Sequence, residues 1–188
     1  MAMAQLEERY WTAADVRELP EDGNRYECVD GALLVTPAPR GVHQLACRQL
    51  FRALDPFVVA HALGELLWSP ADIELKPGAL VQPDLFVART AHGAPVRDWG
   101  GITGLLLAVE VLSPSSARFD RGSKREFYQR AGVAEYWIVD LDARLIERWR
   151  PADERPELLH EAMVWHPDGA SDPLRLDLPA LFRAVLGE

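Results

Sequence analysis

The pattern of hydrophobic and polar positions predicts two helices and a hairpin in the part of the chain before Trp68. A short helix is predicted to follow Thr12, which caps it, and to stop at Pro20. The stretch NRYECVDGALLVTP predicts two short strands joined at an Asp-Gly pair, which is a strong hairpin signal. VHQLACRQLFRALDPFVVAHAL then repeats apolar residues near helical period, and Pro56 is a point where that helix could break.

Strand-like patterns dominate after Trp68. ADIELKPG predicts a strand ending in a Pro-Gly turn, QPDLFVAR predicts a second strand, and LLLAVEVL predicts the most buried strand. SSARFDRGSKREFYQRAG predicts a polar approach to a helix that stops at Gly132, and AEYWIVDLDARLIERWR predicts two strands turning about Leu141 to Ala143. Strands flanked by helices, with local hairpins, indicate a single α/β (α+β) domain over residues 1–188, built on one mixed sheet.

Composition narrows the class of protein. With 188 residues, 48% hydrophobic and 26% charged, the chain suits one globular domain with a real core. No apolar run approaches the roughly 18 residues of a membrane span, and MAMAQLEERYW lacks a signal-peptide pattern, so we expect a cytoplasmic protein without membrane contact. Cys28 and Cys47 have no CxxC partner, which predicts buried free thiols. The net charge of −9 argues against non-specific coating of nucleic acid, but not against acids that hold a metal.

Glu110 is the first candidate for chemistry, because it interrupts the most apolar stretch of the chain. Alternation along a strand places Glu110 on one face with Leu106, Ala108 and Leu112. Burying an ionised carboxylate costs several kcal/mol unless a partner or a metal compensates. This position therefore predicts a functional or tightly paired acid.

Asp84 and Lys124 are the residues expected to complete a site with Glu110. Asp84 opens the apolar strand of PDLFVA, so neighbouring strands would bring the two carboxylates to one end of the sheet. Two adjacent carboxylates repel unless a cation lies between them, and Mg²⁺ prefers such oxygen ligands. Lys124 lies on one predicted helix face with Asp120 and Tyr128, where its ammonium could orient a metal-bound water. The alternative is an ordinary surface ion pair between Asp120 and Lys124.

Several blocks of the chain resemble one known family. PDLFVAR, LLLAVEVLSPSSARFDRGSKREFYQRAGVAEYWIVD, RYECVDGALLVTPAPRGVHQL and the DLPALF ending are similar to the Uma-two family of restriction-endonuclease-like proteins. The resemblance implies a PD-(D/E)xK fold with a central mixed sheet, and a metal-dependent endonuclease that hydrolyses DNA with Mg²⁺ or Mn²⁺. It aligns Asp84 and Glu110 with the metal-binding acids. The superfamily lysine position is Leu112 here, so the resemblance makes Lys124 the displaced catalytic lysine.

The resemblance implies two further site residues. Glu27 is similar to an acid beside the metal, although it could equally be a surface strand residue. His43 matches a position that could contact substrate phosphate or a metal-bound water, although a solvent-exposed histidine at a helix start is as good an interpretation. Tyr128 and Trp137 are expected to be core residues, and Asp140 a turn residue.

Two other functions remain open at this stage. One is a non-catalytic binding or dimerisation module that uses the sheet edge and the apolar Trp149 hairpin. The other is hydrolysis of single-stranded or structured nucleic acid, since few basic residues are available to hold a duplex. A homodimer could build a basic groove from four residues of each subunit, Arg118, Arg121, Lys124 and Arg125. They lie in RFDRGSKR, the densest positive stretch of the chain.

Overall fold

The computed structural model describes residues 9–90 and 95–187. The strands within these residues are β1 (Arg25–Val29), β2 (Ala32–Thr36), β3 (Glu65–Trp68), β4 (Leu85–Thr90), β5 (Ile102–Val111), β6 (Glu135–Asp140), β7 (Leu145–Trp149), β8 (Glu157–Leu159), β9 (Ala162–Trp165) and β10 (Leu174–Asp177). The helices are α1 (Ala13–Arg17), α2 (Gly41–Ala60), α3 (Ala117–Phe119), α4 (Arg125–Arg130) and α5 (Leu178–Leu186).

A mixed sheet of six strands forms the centre, as predicted. Its order is β3-β4-β5-β6-β7-β8, and only the β5–β6 pair is parallel among these strands. Two antiparallel hairpins, β1–β2 and β9–β10, pack outside this sheet. The predicted N-terminal hairpin is therefore confirmed, whereas β8, β9, β10 and α5 have no counterpart among the predicted elements.

The predicted alternation of faces along β5 holds only in its second half. A register shift beside Val87 places Leu107 opposite that residue and Leu105 opposite Ala88. The extra residue, Leu106, consequently faces the same side as Leu107, away from Ala108. A bulge of this kind moves one side chain to the other face without ending the strand. The end of β5 that carries Glu110 is regular.

Helix α2 runs through Pro56 without a break. Proline removes one backbone hydrogen bond in a helix interior. Here Leu54 and Val58 on either side of it are fully buried against the sheet, so tertiary packing outweighs the loss. The unbroken helix covers one face of the sheet, together with α5 and the β9–β10 hairpin.

The predicted strand ADIELKPG does not form. Only Ile73 makes a bridge, to Val81, because the chain reverses at Gly78, whose φ of +83° suits glycine. The edge strand lies earlier, at β3. The segment after Gly78 binds the β1–β2 hairpin, because Leu80 and Cys28 exchange two backbone hydrogen bonds of 2.8 and 2.9 Å. This docking places the hairpin over the end of the central sheet.

The predicted helix after β5 is interrupted. Residues Asp120–Lys124, between α3 and α4, follow a π-helical pattern with a kink at Gly122. Such a segment changes which side chains face inward, and it is frequent at functional sites. Asp120 and Lys124 are both buried as a result. No helix in the described residues is both long and apolar enough to cross a bilayer.

The Trp149 hairpin is not a free surface. Strand β7 lies inside the sheet between β6 and β8, and Trp149 is buried. The Arg125 guanidinium covers its ring at 4.9 Å from the centroid. The dimerisation surface suggested for this hairpin is therefore wrong, and the exposed sheet edges are β3 and β8.

Candidate active site

Glu110 lies at the end of β5 and is 1% exposed. Its Oε1 accepts a hydrogen bond of 3.1 Å from the Tyr128 hydroxyl and contacts Lys124 Nζ at 2.6 Å. The apolar strand keeps water away, while the neighbouring helix supplies the two polar partners. Glu110 is thus the tightly paired buried acid that its position predicts.

Lys124 contacts Glu110 as the sequence analysis expects, but within the described residues it makes no ion pair with Asp84. Its side chain is 2% exposed, and Nζ lies 2.9 Å from Glu27 Oε1 and 3.7 Å from Asp120 Oδ1, besides its contact with Glu110. The alternative of an ordinary surface ion pair is therefore wrong. Burial would lower the pKa of Lys124, but the three carboxylates outweigh burial and raise it well above its usual value. Lys124 is a permanent ammonium donor in this arrangement.

Glu27 joins the site from the hairpin and is not a surface residue. Its carboxylate is 1% exposed and accepts a hydrogen bond of 2.7 Å from the backbone N–H of Gln82, besides the Lys124 contact. The docking of β1 on the segment around Leu80 carries Glu27 to this place. Glu27 therefore fixes one side of the lysine ammonium.

Asp84 occupies the other half of the site. Its Oδ1 accepts from Arg25 Nη1 at 2.7 Å, and its Oδ2 accepts from His43 Nε2 at 2.9 Å and from the Val111 N–H at 2.8 Å. Burial would raise the pKa of Asp84, but the His43 hydrogen bond and the Arg25 charge outweigh it and hold the pKa below its usual value. Asp84 is ionised, and the Val111 bond ties it to the strand that carries Glu110.

His43 supports Asp84 from α2. With Nε2 donating to the carboxylate, Nδ1 is left to accept from the Cys47 thiol, 3.7 Å away. Burial, followed by the charges of Asp84 and Glu110, raises the pKa of Cys47 well above its usual value, so this thiol stays protonated. His43 is 9% exposed, and the solvent-exposed alternative is wrong.

The charge balance of this acid–lysine cluster is negative. The cluster holds four buried carboxylates and two permanent cations, which leaves 4 − 2 = 2 negative charges when all the acids are ionised; its members are Glu27, Asp84, Glu110, Asp120, Arg25 and Lys124. Burial raises the pKa of Glu110 well above its usual value, and the charges of Asp84, Asp120 and Glu27 add to this although Lys124 opposes it. Asp120 has no hydrogen bond to either carboxylate oxygen, and burial raises its pKa too.

The donor set fits a hard divalent cation. Asp84 lies directly before β4 and Glu110 lies near the end of the adjacent β5. One divalent ion would balance the two negative charges that the cluster carries when all its acids are ionised. Within the described residues, no group of three or more acidic, histidine or cysteine side chains is arranged to hold a metal. Mg²⁺ usually keeps several waters and takes one or two protein carboxylates together with substrate phosphates. Asp84 and Glu110 are the residues that fit that role.

Arg25, which belongs to the cluster, and Tyr128, which contacts its member Glu110, are both missing from the site that the sequence predicts. Arg25 shares a strand face with Glu27 through their i, i+2 spacing, and its Nε lies 3.8 Å from Glu27 Oε2. Tyr128 lies one turn after Lys124, and its buried hydroxyl points at Glu110 rather than only packing. The Arg25–Glu27 and Lys124–Tyr128 spacings can be read from the sequence. However, an arginine in a strand and a tyrosine in a helix are common, so nothing marks these two residues as part of a site. Asp140 is a turn residue as expected, since it accepts from the Ala143 N–H.

The basic stretch RFDRGSKR does not form a free groove. Lys124 is ion-paired with the buried acids, and Arg121 pairs with Glu147 at 2.6 Å and with Asp140 at 2.8 Å. Arg125 pairs with Glu126 and lies over Trp149. Only Arg118 of the four predicted groove residues is exposed without an ion pair in the described part of the chain.

The fold is similar to that of a solved protein described as a "putative nuclease belonging to DUF820 from Anabaena variabilis ATCC 29413". The TM-score is 0.75, with 21% sequence identity, and the match covers 93% of this chain and 98% of that one. At this identity the likeness establishes the fold alone. A search of curated proteins finds no match.

A family model described as "Uma2: Putative restriction endonuclease" matches residues 13–184. The matched range contains all residues of the acid–lysine cluster, and it spans most of the 188-residue chain. The match supports a nuclease function of the restriction-endonuclease type. The chain belongs to the Uma2 family.

Proposed function

We propose that the protein is a metal-dependent nuclease that hydrolyses phosphodiester bonds in DNA at the acid–lysine cluster. The observation that carries this proposal is the excess of buried carboxylates around Lys124. Such a cluster destabilises the fold, and a bound divalent cation would offset its negative charge. Family membership and the restriction-endonuclease-like fold support it.

Asp84 and Glu110 would hold one or two Mg²⁺ or Mn²⁺ ions. A bound ion of this kind would polarise the scissile phosphate and lower the pKa of a coordinated water. The ionised state of Asp84, secured by Arg25 and His43, would keep one carboxylate ready for the cation at all physiological pH values. Because His43 is engaged with Asp84, it would act as a positioning residue and would not contact phosphate.

Lys124 would act as a donor of positive charge. Its pKa is raised, so the ammonium remains protonated and cannot serve as a general base. Held between Glu110 and Glu27, it would orient the attacking water or offset negative charge that grows on a phosphate oxygen. Glu27 would position the ammonium, and Tyr128 would position the Glu110 carboxylate.

One observation favours the alternative of a non-catalytic, nuclease-like module. The Lys124 ammonium already neutralises part of the cluster, with contacts of 2.6 Å to Glu110 and 2.9 Å to Glu27. An internal cation of this kind can serve structure alone. Catalysis and structure therefore have to be separated by variants that keep the fold.

Cleavage of supercoiled, linear and single-stranded DNA, with Mg²⁺ or Mn²⁺, tests the proposal. The isosteric variants Asp84→Asn and Glu110→Gln should lose activity by at least a hundredfold, since each removes a carboxylate without removing volume. Asp72→Asn, at a half-buried acid outside the cluster, is the matched control and should cut at the wild-type rate. Wild-type protein that cuts none of these substrates would leave the non-catalytic alternative.

A further inference from the structure

Trp68 is an exposed aromatic residue at the end of edge strand β3. It is 56% exposed, whereas the other five tryptophans, all within the described residues, are buried or half-buried. Phe51 of α2 packs against it in an edge-on arrangement, with ring centroids 5.2 Å apart and planes at 88°. The indole is thus supported from α2 while much of its surface stays open to solvent.

The backbone of Trp68 lies next to Asp84, a residue of the acid–lysine cluster. Trp68 pairs with Leu85, the residue directly after Asp84. The next residue, Ser69, donates its backbone N–H to the Asp84 carbonyl at 3.3 Å, and its hydroxyl accepts from Arg25 Nη1 at 3.4 Å. Trp68 therefore lies at the rim of the cluster, one residue from its hydrogen-bond network.

Two arginines of α2 lie next to this aromatic pair in the sequence of the helix. Arg48 is three residues before Phe51, so helical geometry places these two side chains together, and Arg52 is one turn after Arg48. Both are exposed, and in residues 9–90 and 95–187 neither makes a hydrogen bond or an ion pair. The acid nearest to them on α2, Asp55, is not ion-paired with either. Their positive charge is available to a ligand.

The combination of an open indole and unpaired guanidinium groups fits a polyanion that presents flat aromatic faces. Single-stranded nucleic acid has these properties, because its phosphates attract arginine and its unpaired bases stack on aromatic side chains. The bases of a duplex are stacked on each other, so they do not offer their faces to a side chain at the rim. The net charge of −9 argues against general attraction of nucleic acid, so binding would depend on local positive charge of this kind.

We propose that Trp68, Arg48 and Arg52 form a docking surface for single-stranded nucleic acid, which stacks a base on Trp68 as the strand enters the cluster. The inference rests on the proposed nuclease function for what happens after docking. Docking itself is measured without cleavage, so the two can fail separately.

Fluorescence anisotropy of a labelled oligo-dT, in buffer with EDTA, measures docking on the full chain. Trp68→Ala should weaken binding about tenfold without changing the salt dependence, and Trp68→Phe should restore most of the loss because it keeps a stacking ring. Arg48→Gln and Arg52→Gln should each weaken binding several-fold and reduce the slope of log K against log salt by about 0.7. Binding of a blunt duplex of the same length should be weaker and insensitive to Trp68→Ala.

Leu158→Ala and Arg183→Gln are matched controls. Leu158 is exposed on β8 at the opposite sheet edge, and Arg183 is exposed on α5, so both variants should bind like wild type. Thermal melting checks that every variant is folded. The inference is overturned if oligo-dT does not bind, if binding survives in all three surface variants, or if Trp68→Ala weakens duplex binding equally. It is also overturned if Trp68→Ala converts a dimer into a monomer in sedimentation and leaves oligo-dT binding intact.

Binding that is retained without any cleavage contradicts the proposed nuclease function and leaves the docking surface standing. If Trp68→Ala cleaves single strands at the wild-type rate and with the wild-type KM, the docking surface is contradicted and the proposed nuclease function stands. A loss confined to KM is the expected pattern, because Trp68 touches substrate away from the scissile phosphate.

Discussion

Two positively charged regions of the molecule differ in where their charge is used. Residues 118–125 are the densest basic stretch of the chain, yet Lys124 is buried among acids and Arg121 and Arg125 are ion-paired. Helix α2 carries fewer basic residues, but Arg48 and Arg52 are exposed and make no ion pair in the described residues. Density of charge in a sequence therefore does not identify a binding surface. A basic side chain can bind a ligand only if it is not already ion-paired with acidic residues of the same protein.

Replacing Lys124 should have the largest effect on stability. Lys124→Met leaves Glu27, Glu110 and Asp120 buried without their cation, which should cost about 3–5 kcal/mol of unfolding free energy at neutral pH. Urea denaturation measures the difference. Lys76→Met is the matched control, because Lys76 is the only other lysine and is exposed. A loss below about 1 kcal/mol would contradict the role of Lys124 as the internal counter-ion.

Replacing Glu110 should change how stability depends on pH. The folded-state pKa of Glu110 is raised, so the stability linked to its proton is present in acid and is lost as pH rises from the ordinary glutamate value through the folded value. Glu110→Gln cannot lose that proton. At pH 8 without metal it should be more stable than wild type, and the difference should vanish in acid.

Thermal melting of wild type and Glu110→Gln across pH tests this expectation. Glu65→Gln, at an exposed residue of β3, should follow the wild-type profile. Parallel profiles for wild type and Glu110→Gln at all pH values would mean that Glu110 ionises without penalty.

Replacing Arg121 should have the smallest effect. Its ion pairs with Glu147 and Asp140 are partly exposed, so Arg121→Gln should cost about 0.5–1 kcal/mol. Arg118→Gln, with no ion pair in the described residues, should cost nothing measurable. Oligo-dT affinity should be unchanged in both variants and reduced in Arg48→Gln. Equal losses of affinity in Arg121→Gln and Arg48→Gln would erase the contrast between the two regions.

Strands β4 to β7 of the central sheet and the β1–β2 hairpin outside it are predictable from sequence because they carry clear local signals. The Asp-Gly turn marks the hairpin, and the uniform apolar run of β5 marks a buried strand. Strands β8 and β9 have only three and four residues, so periodicity does not separate them from loops. The ADIELKPG prediction is wrong because tertiary docking of the hairpin, through Leu80, decided the path of that segment.

The acids and the lysine of the cluster are predictable for a different reason. Glu110 is a charged residue within an apolar strand, and residues that break a local pattern in this way are often functional. Nothing in the local sequence pattern singles out Arg25 or Tyr128. Only their hydrogen bonds in the folded chain, to Asp84 and to Glu110, reveal them. The depth of Lys124 is also invisible beforehand, because it depends on the π-helical segment that ends there.

Calorimetric titration of Mg²⁺, repeated with Mn²⁺, tests most directly whether the cluster is a metal site. Wild-type protein should bind the cation with millimolar or tighter affinity, and its melting temperature should rise with cation concentration. Asp84→Asn and Glu110→Gln should be folded and should show neither effect, whereas Asp72→Asn should behave as wild type. Folded wild-type protein that binds neither cation, or binds it equally well in Asp84→Asn, would contradict the account.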